Sequence, residues 1–229
     1  MNAIPAGATS ERAIAERIAA RYDTRKHRGY VRGKVRWDPV FAAVAPLLAG
    51  SPRALLDIGC GLGLLGQYLR ERGVETPYRG IDVDAAKIEA ARAAARAGKL
   101  DLALSVGSVD ALPPFSGDVA LLDVLHYLPF AQQQRALVDA AARVATGGTL
   151  VIRNVVRDRS WRFRATVIEE RVARTLGWMR CATGHFPDRE EIESPLRSSG
   201  LDIDATPLWG RTPFNSWLFV ARRNRGVSG

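Results

Sequence analysis

Apolar positions along this chain fall into two rhythms, short continuous runs and helical spacing, and their alternation predicts the architecture. The runs 54–58, 78–83, 100–106, 119–124 and 149–155 are short and read as strands, the first of them buried. Between them, helix-forming stretches recur over 64–72, 85–97 and 132–144. Parallel strands need crossover connections long enough to hold a helix, so this alternation predicts a parallel sheet covered on both faces, an α/β three-layer sandwich.

Both ends depart from that rhythm. Ser10 and the Ile14/Ile18 spacing predict an N-capped helix to about Tyr22, and Asp38-Pro39 opens a second helix over 40–48 that stops near Gly50. Between the two lies the basic, aromatic stretch YDTRKHRGYVRGKVRW. At the other end, 157–183 is helical and basic, Asp188 caps a helix over 189–199, and the strands 201–206 and 216–222 have no helix between them. Such a pair closes most simply as an antiparallel hairpin at a sheet edge. The expected organisation is a helical segment over 1–50 and an α/β domain over 51–229 with a helical insertion at about 157–199.

A content of 47% hydrophobic and 25% charged residues supports a packed core and excludes a disordered or fibrous chain. The two cysteines, Cys60 and Cys181, give neither zinc spacing nor a disulfide framework, which points to a reducing compartment and hence the cytoplasm. The most apolar stretch, 40–49, is broken by Pro46, so no membrane span is expected. The net charge of +9 is uneven: residues 1–40 carry +5, 41–152 carry −1, 153–180 carry +5 and 181–229 are neutral. A basic chain invites a nucleic-acid reading, but the ratio of 29 Arg to 4 Lys also fits GC-rich coding, and the excess lies outside the core.

The strongest chemical signal is Asp57-Ile58-Gly59-Cys60-Gly61-Leu62-Gly63, set between a strand and a helix. Glycines there let the backbone approach a ligand, and the helix start offers unpaired N–H groups. Nineteen residues beyond Gly63, Asp82 ends the next strand, where a carboxylate can accept hydrogen bonds from two ribose hydroxyls. Gly61-x-Gly63-x-x-Gly66 also satisfies a dinucleotide fingerprint read literally. Two features oppose NAD: a carboxylate inside the first strand, at Asp57, and about fifty residues of helix before that strand.

The chain resembles the class I S-adenosylmethionine-dependent methyltransferases, which have a Rossmann-like fold. The resemblance rests on LLDIGCGLG, YRGIDVD, VGSVDALPPFSGDVALLDVLHYLP and GGTLVIRN in that order, and covers about 50–155. It implies that Asp57 with Gly59, Cys60, Gly61 and Gly63 holds the methionine end, Asp82 and Val83 the ribose, and the turn after the third strand the adenine. In that turn Gly107 is followed by Ser108 rather than an acidic residue, so either Ser108 with the Val109 amide or a shifted Asp110 meets the adenine. Asp123 falls near the cofactor. The resemblance places a lid before the core, where Tyr30 and Lys34 or Arg36 would hold the methionine carboxylate; a solvated helix face is the other reading of these residues.

Methyl transfer from a sulfonium mainly requires alignment of donor and acceptor, and an oxygen acceptor also gains from a base. His126, just past the fourth strand, stands at the carboxyl edge where open α/β sheets bind ligands and is the first candidate for that base; a histidine that holds a loop or covers the cofactor is the alternative. Tyr127, Arg153 and Asn154 are candidate substrate contacts, while His27 and His185 rank lower. No acidic cluster with His suggests a metal. Further stretches, among them Tyr30-x-x-x-Lys34-x-x-x-Asp38-Pro39 and Ser160-Trp-Arg-Phe163, are similar to bacterial methyltransferases of aryl-polyene and related pigment pathways. That likeness implies a phenolic acceptor, free or on an acidic acyl carrier protein which the basic flanks would steer. The alternatives are an RNA methyltransferase using the same flanks and an NAD-type oxidoreductase.

Overall fold

In the computed structural model, which describes residues 10–166, 184–210 and 212–224, one seven-stranded sheet organises the chain. Its strands are β1 (Leu55–Ile58), β2 (Tyr78–Asp82), β3 (Ala103–Val106), β4 (Asp118–Leu122), β5 (Thr149–Val155), β6 (Asp202–Pro207) and β7 (Ser216–Arg222), in the order β3-β2-β1-β4-β5-β7-β6. β1 to β5 pair in parallel, and β7 runs antiparallel to both neighbours. The expected Rossmann-like α/β sandwich with a C-terminal antiparallel pair is what the chain forms.

Within that pair, β7 inserts between β5 and β6, so only β6 is an edge strand. The reason is in the side chains: Phe219, Val220 and Ala221 are buried, whereas β6 begins with exposed Asp202 and alternates outward. β7 is zipped to β5 over seven residue pairs, from Thr149 opposite Arg222 to Val155 opposite Ser216.

Among the described residues the helices that flank the sheet include α1 (Glu11–Ala20), α2 (Arg25–Trp37), α3 (Val40–Leu48), α4 (Leu64–Glu71), α5 (Ala85–Ala97), α6 (Phe130–Ala142) and α7 (Arg189–Ser198). Alternate strand residues feed two cores. Leu55, Ala120 and Val151 face a cluster shared with Ile14, Val31, Phe41, Tyr68 and Ile88, while Leu56, Leu121 and Ile152 face one shared with Leu137, Ile192 and Leu196.

The N-terminal helices are part of the first cluster. Ser10 caps α1 by accepting from Ala13 N–H, as its position before the Ile14/Ile18 spacing predicts. The basic stretch after it becomes α2, capped by Thr24 and burying only Val31 and Val35. Polar contacts fasten these helices to α4: Arg17 and Arg21 pair with Glu71, and Glu11 accepts from Tyr68 at 2.8 Å. In the insertion, residues 161–166 are helical and α7 opens on an Asp188/Glu191 capping box. The remainder of the basic stretch expected to be helical, 167–183 with Cys181, lies outside the described residues.

Candidate active site

The carboxyl ends of the five parallel strands meet along one edge, and the candidate residues group there in two halves. The first half is built from backbone. After β1, Gly59, Gly61 and Gly63 have φ of +75°, +54° and +68°, a conformation that disfavours any Cβ. At Gly59 a Cβ would also lie 2.3 Å from Val124 Cγ2. Asp82 is the strut of this loop: its Oδ2 accepts from Gly61 N–H at 2.8 Å and its Oδ1 from Asp84 N–H at 2.9 Å. A carboxylate oxygen has two acceptor sites, so each oxygen retains one.

Asp57 lies beneath the loop, buried at 3% exposure, and accepts from Tyr78 Oη at 2.5 Å. Burial, helped by the charge of Asp82, pushes its carboxyl up to about 7 against the pull of the Tyr78 bond. The Cys60 thiol is pushed up by burial as well, which removes it as a nucleophile. Gly66, the last position of the literal dinucleotide pattern, has a packing role: a Cβ there would lie 2.8 Å from the Tyr78 ring. Val83 is exposed beside Asp82. Ser108 caps a short 3₁₀ turn (Val109–Ala111), its hydroxyl accepting from Asp110 N–H at 3.2 Å, and Val109 packs inward. Asp110 is itself held by Gln132.

The second half is built from side chains that are distant in sequence. Asp123, just beyond β4, has φ +59°. Its Oδ2 accepts from Lys34 Nζ at 3.0 Å and pairs with Arg153, while its buried Oδ1 has no partner among the described residues. Lys34 also reaches Asp38 at 2.5 Å, and Arg153 reaches the same Asp38 oxygen at 3.3 Å, closing a four-membered ionic network. Burial alone would raise Asp123, but the Arg153 and Lys34 cations outweigh it and hold the carboxyl well below the usual range. Tyr30, one turn before Lys34 on α2, is exposed and near enough to influence Lys34 and Arg153.

His126 lies in a short 3₁₀ turn (Leu125–Tyr127) with its Nδ1 3.0 Å from Asn154 Oδ1. Burial lowers its proton affinity in spite of Asp123, which favours the neutral ring. Tyr127 packs against it at 4.1 Å between ring centroids and stands partly exposed at the rim. Phe186 lies nearly parallel to the imidazole at 6.1 Å and is met edge-on by Phe163. Arg153 and Asn154, which the sequence suggests as substrate contacts, are buried and engaged with protein groups. His27 packs against Tyr22, and His185 binds Glu191.

Three contributors escape sequence reading. Asp38 reads as a helix cap and as part of the Tyr30–Lys34–Asp38 pattern rather than as an ion-pair partner, although its i,i+4 spacing from Lys34 hints at the pair. Tyr22 donates to Leu62 C=O at 2.6 Å and accepts from Gln67, clamping the glycine loop from α1's end. Phe186 has no local signal at all. Among the described residues no cluster of His, Cys, Asp and Glu could hold a metal, and no helix is long and apolar enough to cross a membrane.

Residues 55–148 match the family model described as a methyltransferase domain. Over that segment the chain is similar to methyltransferase domains. Over 122 residues, 48% of this chain, it is 33% identical to the ribosomal RNA small subunit methyltransferase C of Chromohalobacter salexigens, of which it covers 34%. Over 186 residues, 76% of this chain, it is 25% identical to the mitochondrial ubiquinone biosynthesis O-methyltransferase of Candida albicans, of which it covers 56%. The chain thus spans about a third to just over half of these curated relatives. In fold, the magnesium protoporphyrin IX methyltransferase of Synechocystis PCC 6803, solved with bound S-adenosylhomocysteine (SAH), superposes with a TM-score of 0.63 at 16% identity over 88% of this chain and 89% of that one. The methyltransferase domain match stops at 148, so the ionic network and His126–Asn154 each join a residue inside it to residues outside.

Proposed function

We propose that this protein transfers a methyl group from S-adenosylmethionine to a small aromatic or phenolic molecule, free or carried on an acidic acyl carrier protein. The observation that carries the reading is the facing of the two halves: a glycine loop strutted by Asp82, and, across Val124, the His126 turn.

The residues fit the cofactor. The space that a Cβ would fill at Gly59, the remaining acceptor sites of Asp82 and the buried carboxyl of Asp57 suit a ligand carrying hydroxyls and an ammonium. Asp57, Gly59, Cys60, Gly61 and Gly63 would hold the methionine end, Asp82 and Val83 the ribose, and Ser108 and Val109 the adenine. Asp123, Tyr30 and Lys34 would border the methionine end from the other side, with 1–50 acting as a lid and 157–199 as the insertion beside the acceptor. When bound, the cofactor supplies an activated methyl group; the chain's own work is to align the acceptor, exclude water and take up its proton. His126 is the proposed base and Tyr127 the residue at the acceptor's approach.

The aromatic surroundings of His126, formed by Tyr127, Phe163 and Phe186, favour a flat acceptor over RNA. So does the fate of the basic residues: Arg17, Arg21, Arg32 and Arg157 are all paired with carboxylates. The sequence likeness to pigment-pathway methyltransferases supports a phenol, and a cysteine pair that gives no disulfide framework supports the cytoplasm. RNA remains the second reading because of the ribosomal RNA relative; it requires binding that weakens steeply with salt. Calorimetry with SAH and with NADH tests the first step: binding of SAH alone is expected, and binding of NADH alone overturns the reading.

A further inference from the structure

We infer that Asn154 is a positioning residue that locks His126 in the tautomer with the proton on Nδ1, so that Nε2 is the proton acceptor and the methylated atom is an oxygen bearing a proton. This rests on the methyltransferase reading and specifies its acceptor as an O–H group.

The hydrogen-bond inventory fixes the direction. Asn154 is fully buried, and its Nδ2 donates to Val155 C=O at 2.8 Å, so the side-chain amide is oriented with Oδ1 toward His126. That oxygen can only accept, and it receives the His126 backbone N–H at 3.4 Å and faces Nδ1 at 3.0 Å. In a neutral imidazole one nitrogen donates and the other accepts, so Nδ1 carries the proton and Nε2 the lone pair. Among the described residues the ring's hydrogen bond is that of Nδ1, and none is made by Nε2. His126 is 8% exposed, and its ring orientation is fixed by Tyr127 on one side and the Asn154 bond on the other. The charged groups around it are Asp123 beyond β4, Arg153 on β5 and Lys34 on α2. Arg153 and Lys34 are both bound to Asp123, so none of the three competes for Nε2.

The step balances. The acceptor O–H proton moves to Nε2, the oxygen's electron pair forms the new O–CH₃ bond, and the C–S bond breaks with its pair returning to sulfur, giving SAH. The imidazolium then loses the proton to water. An amine with a free lone pair needs no such base, so a fixed Nε2 lone pair suits an acceptor that must lose a proton, as the hydroxyl of the proposed phenol does.

The test reads the tautomer directly, by long-range ¹H–¹⁵N correlation of the imidazoles in the intact protein with SAH. The chain has three histidines, so His126→Gln assigns the signal. The expected result is a neutral Nδ1–H ring in the wild type, and an Nε2–H or mixed ring in Asn154→Ala with the SAH dissociation constant unchanged within about twofold. With 3,4-dihydroxybenzoate as probe acceptor, Asn154→Ala should lose about 10²-fold in kcat, the lower end of a general base's contribution, with KM little changed. Asn154→Asp, which keeps the acceptor oxygen, should restore the Nδ1–H ring and shift the kcat midpoint to higher pH. An Nε2–H ring in the wild type, or a tautomer that ignores Asn154→Ala, overturns the proposal even if SAH binds; failure to bind SAH instead overturns the methyltransferase reading.

Discussion

Two carboxylates at the ends of neighbouring strands, Asp57 on β1 and Asp123 past β4, respond oppositely to being taken out of water. Asp57 has a phenol as its side-chain partner and titrates near 7; Asp123 has an arginine and a lysine and is held ionised far below the usual range. The difference separates the site's halves by construction. The glycine-loop half is made of backbone and groups poised for a ligand, with acceptor capacity left over. The other half is already saturated with charge, and its ionic network ties α2 to β5 through protein groups alone.

The sharpest way to break this contrast is to unbalance the network. Arg153→Met leaves Asp38 and Asp123 to share Lys34, and loss of one member of such a buried set costs about 3–5 kcal/mol. For a chain of this size that lowers Tm by roughly 10 °C, measured by calorimetric melting at neutral pH. A melting point unchanged by the substitution would show that the network is solvent-screened and not structural. On the ligand side the largest effect belongs to Asp82→Ala. With Asp82 as the proposed ribose acceptor, its removal is worth about 1.5–3 kcal/mol, a tenfold to hundredfold weaker SAH dissociation constant by titration calorimetry. Wild-type affinity in that variant would move the ribose site elsewhere.

Proton linkage gives a smaller and more selective test, because the two carboxylates act in separate pH windows. Asp57 binds its proton more tightly in the folded chain than in the unfolded one, where an aspartate titrates near 4. Its contribution to stability is therefore full below about pH 4 and lost as pH rises toward 7. Asp123 has the opposite sign: its contribution is present above about pH 4 and lost only as pH falls below that. Urea melts between pH 4 and 7 should show stability falling with pH on account of Asp57, and Asp57→Asn should flatten that slope. An unaltered slope in Asp57→Asn would mean that the carboxyl is ionised in the folded protein.

The two halves are also unequally legible in the sequence. The glycine loop, Asp57 and Asp82 lie within about 25 residues and follow strand and turn rules, so local pattern alone places them. The ladder β1 to β5 is readable for the same reason, since its short strands alternate with turns and helix-forming stretches along the chain. The network joins residues 34, 38, 123 and 153; a local spacing links the first two, but no local rule joins them to 123 and 153. Likewise β7's place inside β6 is decided by burial of Phe219 and its neighbours against β5, a tertiary preference that the bare hairpin pattern does not contain.

The weakest expected effect concerns the charge that distinguishes the flanks from the core. Arg157 and Arg162 have partners, the first in Asp188 and Glu191, the second stacked between the Trp161 and Trp209 rings at 4.8 and 4.6 Å. Arg159 and Arg164 are exposed in the same segment and take part in no salt bridge among the described residues. A surface guanidinium without a carboxylate partner contributes little to stability but adds to the field that an acidic molecule meets on approach. Arg159→Glu combined with Arg164→Glu should leave Tm and SAH affinity unchanged. The same pair should raise KM several-fold for a phenolic acid loaded on an acidic carrier, and less for the free acid, with both differences shrinking as salt is added. Equal effects on the two substrates would assign the charge to the small acid itself, and no effect on either would leave GC-rich coding as its explanation.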